Sequence, residues 1–133
     1  MTDLTPAETL AYLSEPGKDA IVATVNPGGQ PHAVPVWYTV DGGDVVFSTG
    51  FGGVKGRNLK SNPKIAVCVS QPEGPIMFVS IQGDAVEVTA IEEKRRLVAQ
   101  IMGKYGESSA PEGDLSDTFV VRVKARKTVA VRY

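Results

Sequence analysis

Short apolar runs with a two-residue period dominate the chain, and helical spacing appears at three places. Ala20-Ile21-Val22-Ala23-Thr24-Val25 is an apolar run rich in β-branched residues, which predicts a buried strand. The turn Asn26-Pro27-Gly28-Gly29 follows. Residues 31–40 predict a second strand, with Val34, Val36, Tyr38 and Val40 on one parity and Ala33, Pro35, Trp37 and Thr39 on the other. Pro31 and Pro35 cannot donate to a ladder, so this strand belongs at an edge or a bulge. Asp41-Gly42-Gly43 closes a hairpin onto a strand at 44–48. Further strands are predicted at 65–69 and at 77–88, the latter bent at Gly83, and two short ones at 118–123 and 128–132.

The helical segments carry their own punctuation. Thr5-Pro6-Ala7-Glu8 reads as an N-cap, a proline at the first helical position and a capping-box glutamate; Leu10 and Leu13 give an apolar edge and Gly17 a stop. Residues 54–61 form two helical turns, ended by Asn62-Pro63. Thr89-Ala90-Ile91-Glu92 reads as a second capping box, opening a helix with Ile91, Leu97, Val98, Ile101, Met102 and Tyr105 on its apolar face. A polar loop is expected at 106–113. Antiparallel neighbours on short turns, with a helix late in the chain, predict a mainly β, Greek-key-like barrel with peripheral helices.

Composition narrows the function classes. The 133 residues fit one domain spanning 1–133. A formal net charge of -1 gives no global attraction to nucleic acid or to a membrane surface. No apolar run approaches the roughly 20 residues of a bilayer span. The first residues lack a basic stretch followed by an apolar one, so no signal peptide and a cytoplasmic address are expected. Cys68 is the sole cysteine and His32 the sole histidine, which disfavours disulfides, most zinc sites and a Ser-His-Asp triad, so no metal site is expected. Cys68 alternates within an apolar strand and is expected to be an inert core residue.

The densest chemistry lies in residues 48–64. Ser48-Thr49 end a strand in hydroxyls, Gly50 opens a glycine-rich loop, and a short helix begins with Lys55-Gly56-Arg57-Asn58-Leu59-Lys60. Lys55, Arg57, Lys60 and Lys64 have no acidic residue between them. Hydroxyls, free N–H groups at a helix start and cations form an anion site, or else a solvated basic helix face. The P-loop signature is absent, which disfavours a nucleoside triphosphatase. Trp37 and Tyr38 are successive strand residues facing opposite sides; one enters the core, and the other packs at an interface or stacks on a planar ligand.

Four ordered motifs resemble the pyridoxamine 5'-phosphate oxidase-like split-barrel superfamily, and more narrowly its small flavin- and deazaflavin (coenzyme F420)-dependent reductases. They are Ala20 to Val25 with the following Gly-Gln-Pro-His, Val34-Pro35-Val36-Trp37-Tyr38, Val46-Phe47-Ser48-Thr49 with Lys55-Gly56-Arg57-Asn58-Leu59 and Asn62-Pro63, and Val79-Ser80-Ile81-Gln82-Gly83-Asp84-Ala85. The resemblance implies a split β-barrel homodimer with two cofactor sites at the subunit interface. Lys55 and Arg57 would hold the cofactor phosphate, within a segment that also includes Gly50 and Asn58. Ser48 and Thr49 would bond the phosphate or the ribityl chain, and the Pro35-Val36-Trp37 backbone would lie along the ring. Met77 and Phe78 of the other subunit would close the ring pocket. No universal acid–base residue is implied, since the cofactor carries the hydride chemistry.

Within that family, pyridoxamine phosphate oxidation itself is disfavoured, because the chain has no histidine near Tyr133. The leading expectation is a coenzyme F420-dependent oxidoreductase passing hydride to a small conjugated or quinone-like acceptor. The alternative is an FMN-binding flavin oxidoreductase or flavin carrier. A third reading, a haem-sequestering barrel, would need an axial ligand and leaves His32 as the histidine to supply it.

Overall fold

The structure is a computed structural model that describes residues 1–107 and 113–133. Its elements in order are β1 (Thr2–Asp3), α1 (Pro6–Ser14), β2 (Ala20–Val25), β3 (Pro31–Val36), β4 (Tyr38–Asp41), β5 (Asp44–Gly50), α2 (Val54–Ser61), β6 (Lys64–Ser70), β7 (Met77–Val88), α3 (Ile91–Lys104) and β8 (Thr118–Arg132). The strands pair in the order β3-β2-β6-β7-β8-β5-β4, with β1 added to β8. Every pairing is antiparallel. β3 and β4 stand at opposite ends of that order, yet only Trp37 separates them in the chain. The sheet therefore curls until its two ends meet at one residue, which makes it a split barrel.

This corner corrects the single strand expected over 31–40. The alternation breaks at Trp37, because Tyr38 and Thr39 are both buried. Before the break the strand pairs with β2, Val36 opposite Ala20; after it the strand pairs with β5, Tyr38 opposite Phe47. A change of partner leaves no mark in a hydrophobic pattern. The expected edge position of Pro31 and Pro35 holds, since β3 pairs with β2 alone. The Gly42-Gly43 hairpin also holds, with φ of 59° and 84° at its two central residues.

The two short strands expected at 118–123 and 128–132 are one strand. The polar stretch between them, residues 124–127, is exposed but stays in the ladder opposite β7. Gly83 does mark an irregularity, but the extra residue sits on the facing strand. Gln82 pairs with Lys127 and Gly83 with Ala125, so Arg126 is the bulged residue. The backbones come so close there that a Cβ on Gly83 would lie 2.1 Å from the Lys124 carbonyl oxygen.

The helix termini divide the same way. Thr5 caps α1 with the full reciprocal box, the Glu8 N–H donating to its hydroxyl at 3.1 Å. α1 buries Tyr12 and Leu13 while Leu10 stays exposed. The capping box expected at Thr89 does not form: the N-cap of α3 is Ala90, with no side-chain bond, and Ile91 is exposed. Leu97 and Ile101 are buried with Val46 and Val120, fastening α3 to the outside of β5 and β8. Of the loop expected at 106–113, residues 108–112 lie outside the described residues.

The core fills the curl with Val22, Tyr38, Phe47, Val67, Val69, Val79 and Val121. Tyrosine hydroxyls tie the periphery to it. Tyr38 donates to the Leu13 carbonyl at 2.6 Å and Tyr12 to the Met77 carbonyl at 2.9 Å, which seats α1 across one end of the barrel. The β4–β5 hairpin is held by Asp41, bonded to Arg96 at 3.0 Å and to Arg122 at 2.8 Å. The Arg96 guanidinium, and then that of Arg122, hold the Asp41 carboxyl down at about 2. Among the described residues no helix is long and apolar enough to cross a membrane.

The Gly83 contact is testable. Gly83→Ala should lower stability by roughly 1–3 kcal/mol in denaturant melts, the usual cost of overpacking. Gly103→Ala, in a helix with nothing within 4 Å of the new Cβ, should be neutral or stabilising by up to about 1 kcal/mol. Equal effects from the two would contradict the close approach.

Candidate functional site

The end of β5, the glycine loop and the start of α2 pack into one continuous wall. Ser48 and Thr49 are half-buried and Gly50 is exposed. The N-cap of α2 is Gly53, which has no side chain to satisfy the first helical N–H groups. A Cβ on Gly56 would lie 2.2 Å from the Gly50 carbonyl oxygen and 2.9 Å from that of Phe51. Only a glycine lets the first turn of α2 press so closely on the loop. Strand-end hydroxyls, N–H groups without a side-chain cap and the half-buried Lys55 thus lie in one stretch of hydrogen-bond donors.

The other members of this segment separate by role. Arg57 is exposed, and its Nη1 donates to the Gly52 carbonyl at 2.9 Å, so part of its donor set braces the loop. Asn58 is buried, and its Nδ2 donates to Thr24 Oγ1 at 3.0 Å and Asn26 Oδ1 at 2.8 Å. Those amide donors fasten α2 to β2. Lys60, without an acidic neighbour in sequence, meets Glu87 in space at 2.8 Å. Lys64 is exposed at the start of β6.

The β3–β4 corner stands beside this wall. Tyr38 pairs with Phe47, so Trp37 lies one residue past that pair on its strand and Ser48 one past it on the other. Of the two aromatics, Tyr38 enters the core and Trp37 faces out, 42% exposed. One face of its indole stacks on Tyr105 of the turn after α3, with centroids 4.6 Å apart and planes 2° from parallel. Neither Tyr105 nor Lys104 stands out in the sequence as a site residue. Lys104 Nζ lies 3.4 Å from the centroid of the Tyr38 ring, and burial, then the charge of Lys18, push its pKa down to about 8.

Met77 and Phe78 lie elsewhere. Along β8, Thr118 faces Gly50 and Arg132 faces Met77. Those positions are fourteen residues apart along the curled, bulged β8, while through β6 and β2 Val79 shares a cross-strand row with Val36 at the corner. Met77 and Phe78 thus begin a strand three places along the sheet from β3.

Between these ends runs an outward sheet face that the sequence does not reveal, because its members come from five strands. Pro35, Ile21, Cys68, Ser80 and Val129 form one cross-strand row, and Ala33, Ala23, Ala66, Gln82 and Lys127 the next. Lys127 is the sole charged residue of the two rows. Cys68 lies on this face, half-buried, rather than in the core as expected, and burial pushes its thiol pKa up. His32 faces Thr24 on β3, with its Nδ1 buried and without a partner. No group of metal-ligating residues occurs among the described residues.

The contrast between Asn58 and Lys55 gives a direct test. Asn58→Ala leaves the Thr24 and Asn26 oxygens without their donor, and should cost roughly 1–3 kcal/mol of stability. Lys55→Ala should change the melting temperature little, as for a partly exposed cation. A stability loss in Lys55→Ala equal to that in Asn58→Ala would assign Lys55 to the fold instead.

Comparison with known proteins agrees with this architecture. A conserved hypothetical protein of Mycobacterium tuberculosis superposes with a TM-score of 0.86 at 23% identity, over 98% of this chain and 86% of its own. A protein described as an F420 reductase gives 0.74 at 26% identity, over 89% of this chain and 93% of its own. A FAD-binding protein of Mesorhizobium loti gives 0.75 at 17% identity, over 98% and 96%. No curated protein matches the sequence. The family described as Pyridoxamine 5'-phosphate oxidase matches residues 8–132, and to that family this chain belongs.

Proposed function

We propose that this protein is an oxidoreductase that binds a phosphate-bearing flavin-type cofactor, coenzyme F420 in the first instance, and passes hydride to a small conjugated or quinone-like acceptor. One observation carries the reading. Gly56 admits the uncapped start of α2 against the loop after Ser48-Thr49, and so builds an anion cradle beside an exposed tryptophan. A phosphate fits this donor set, because N–H groups, hydroxyls and a lysine are all donors to anionic oxygen. The similarity to an F420 reductase supports the deazaflavin. The similarity to a FAD-binding protein supports the alternative, an FMN-binding flavin oxidoreductase or carrier.

In this reading the bound cofactor supplies the hydride chemistry. Lys55 and the α2 N–H groups neutralise its phosphate, with Ser48 and Thr49 donating beside them. Arg57 adds charge and keeps the glycine loop in place through Gly52. The backbone of 35–37 offers a flat edge for the ring, and Pro35 has no N–H there to leave unpaired. Met77 and Phe78 join the site from a second chain. The nearly uncharged rows across β3, β2, β6, β7 and β8 support a homodimer, because they suit burial against a second copy.

Two measurements test the reading. Light scattering at micromolar concentration should give twice the 14.1 kDa chain mass; a monomer would remove the shared site. Titration should show coenzyme F420 binding more tightly than FMN. Lys55→Ala and Arg57→Ala should each cost roughly 1.5–3 kcal/mol, a ten- to hundredfold loss of affinity. Stoichiometric FMN with no deazaflavin binding would establish the alternative. Unchanged affinity in both variants would refute the phosphate cradle.

A further inference from the structure

The glycine loop between β5 and α2 has little with which to hold itself. Gly50, Gly52 and Gly53 offer no side chain, and Phe51 alone reaches out of the loop. Phe51 leans on the segment that leads into β8. Its ring stacks on that of Phe119, with centroids 4.7 Å apart and planes 19° from parallel. Its N–H donates to the Asp117 carbonyl at 3.3 Å, and Gly50 faces Thr118 in the β5–β8 ladder. The position of residues 114–119 therefore sets the position of the loop. The start of α2 follows, because the Gly50 and Phe51 carbonyls press on Gly56.

That segment contains a strained residue. Leu115 has a φ of 55°, the one positive value at a residue other than glycine among the described residues. A left-handed leucine is unfavourable and persists only where its surroundings impose it. Two donors do so here. The Leu115 carbonyl accepts from Lys94 Nζ at 2.8 Å and from the Thr118 N–H at 3.0 Å. Asp114 closes the turn from its other side, accepting from the N–H and the hydroxyl of Ser116 at 3.0 Å each. Those bonds lower the Asp114 pKa, and the nearby charge of Lys94 adds to the shift.

Lys94 is costly where it stands. It is buried, at 7% exposure, and a buried cation forfeits hydration. Anchoring α3 does not require it, since Leu97 and Ile101 already fasten that helix to β5 and β8. What Lys94 adds is the bond to Leu115. Its Nζ also lies 5.8 Å from the centroid of the Phe51 ring, and Lys60 of α2, paired with Glu87, lies 5.0 Å from the same centroid. Lys94 thus borders both the strained turn and the loop that leans on it.

We propose that Lys94 is a positioning residue for the glycine loop: it holds the left-handed turn at Leu115, and through that turn it keeps the loop and the start of α2 in the arrangement that receives a cofactor phosphate. The phosphate rests on the oxidoreductase reading; the hold of Lys94 on the loop does not.

The experiment compares the full-length wild type with Lys94→Met in two measurements, and melts both. The first is amide hydrogen exchange over residues 50–53, which should quicken about three- to tenfold relative to β6 in the variant. The second is titration with FMN against riboflavin, and with coenzyme F420 against its phosphate-free deazaflavin core. In Lys94→Met the phosphate-bearing member of each pair should bind about three- to tenfold more weakly, the worth of ordering the segment before binding. The phosphate-free member should stay within about twofold of wild type. A general loss of stability would lower both members alike. Should Lys94→Met not fold, Lys94→Gln, whose amide is too short to reach the Leu115 carbonyl, replaces it with the same expectation. Unchanged exchange in the loop, or an unchanged preference for the phosphate-bearing member in the variant, overturns the proposal. A wild type that binds neither phosphate-bearing compound more tightly than its phosphate-free partner overturns the phosphate reading instead, and exchange over 50–53 still decides whether Lys94 holds the loop.

Discussion

The structure depends on a closure constraint at Trp37. A chain that leaves one end of a seven-strand path and enters the other end one residue later cannot remain a flat sheet. The curl sets which side chains become core, and it places an aromatic residue where the chain has least room to bury it. Neighbouring elements adapt to that corner. Tyr38 turns inward and bonds α1, Tyr105 brings the end of α3 over the indole, and the hairpin that follows is clamped by Asp41 and its two arginines.

Close backbone approach is the second recurring device. At Gly83 it lets β7 and β8 cross a bulge without separating, and at Gly56 it lets a helix start touch a loop. The two glycines serve different ends. The first keeps a long strand pair continuous. The second concentrates N–H donors at one spot. The same geometric liberty therefore supports both the span of the barrel and the polarity of its candidate site.

Much of this was legible because its signals are local. β2, α2 and β7 occupy the residues their patterns predict, since each is bounded by its own turn residues or by a proline. The candidate anion segment was proposed from the sequence for the same reason: Ser48, Thr49, Gly50, Lys55 and Arg57 fall within ten positions. What could not be read depends on partners far along the chain. The break at Trp37 is a change of ladder, and the continuity of β8 through Lys124 and Lys127 is imposed by β7 opposite. Asn58 looked like part of a ligand motif, but its donors go to Thr24 and Asn26, more than thirty residues earlier. Tyr105 and Lys104 reach the corner from the other side of the sequence and carry no motif of their own.

The position of β8 has a consequence for how the molecule is made. β8 is interior to the sheet, holding β7 on one side and β5 on the other, with β1 added near its end. It is also the final strand in chain order. During synthesis, β5 and β7 emerge and persist with the edges meant for β8 unsatisfied, and the two halves of the sheet have no bridge between them. Folding can be completed only after the last strand leaves the ribosome. A nascent chain of this kind exposes two sticky edges for the whole interval, so its yield in a cell depends on how fast translation passes residues 118–132 and on chaperones covering those edges until it does.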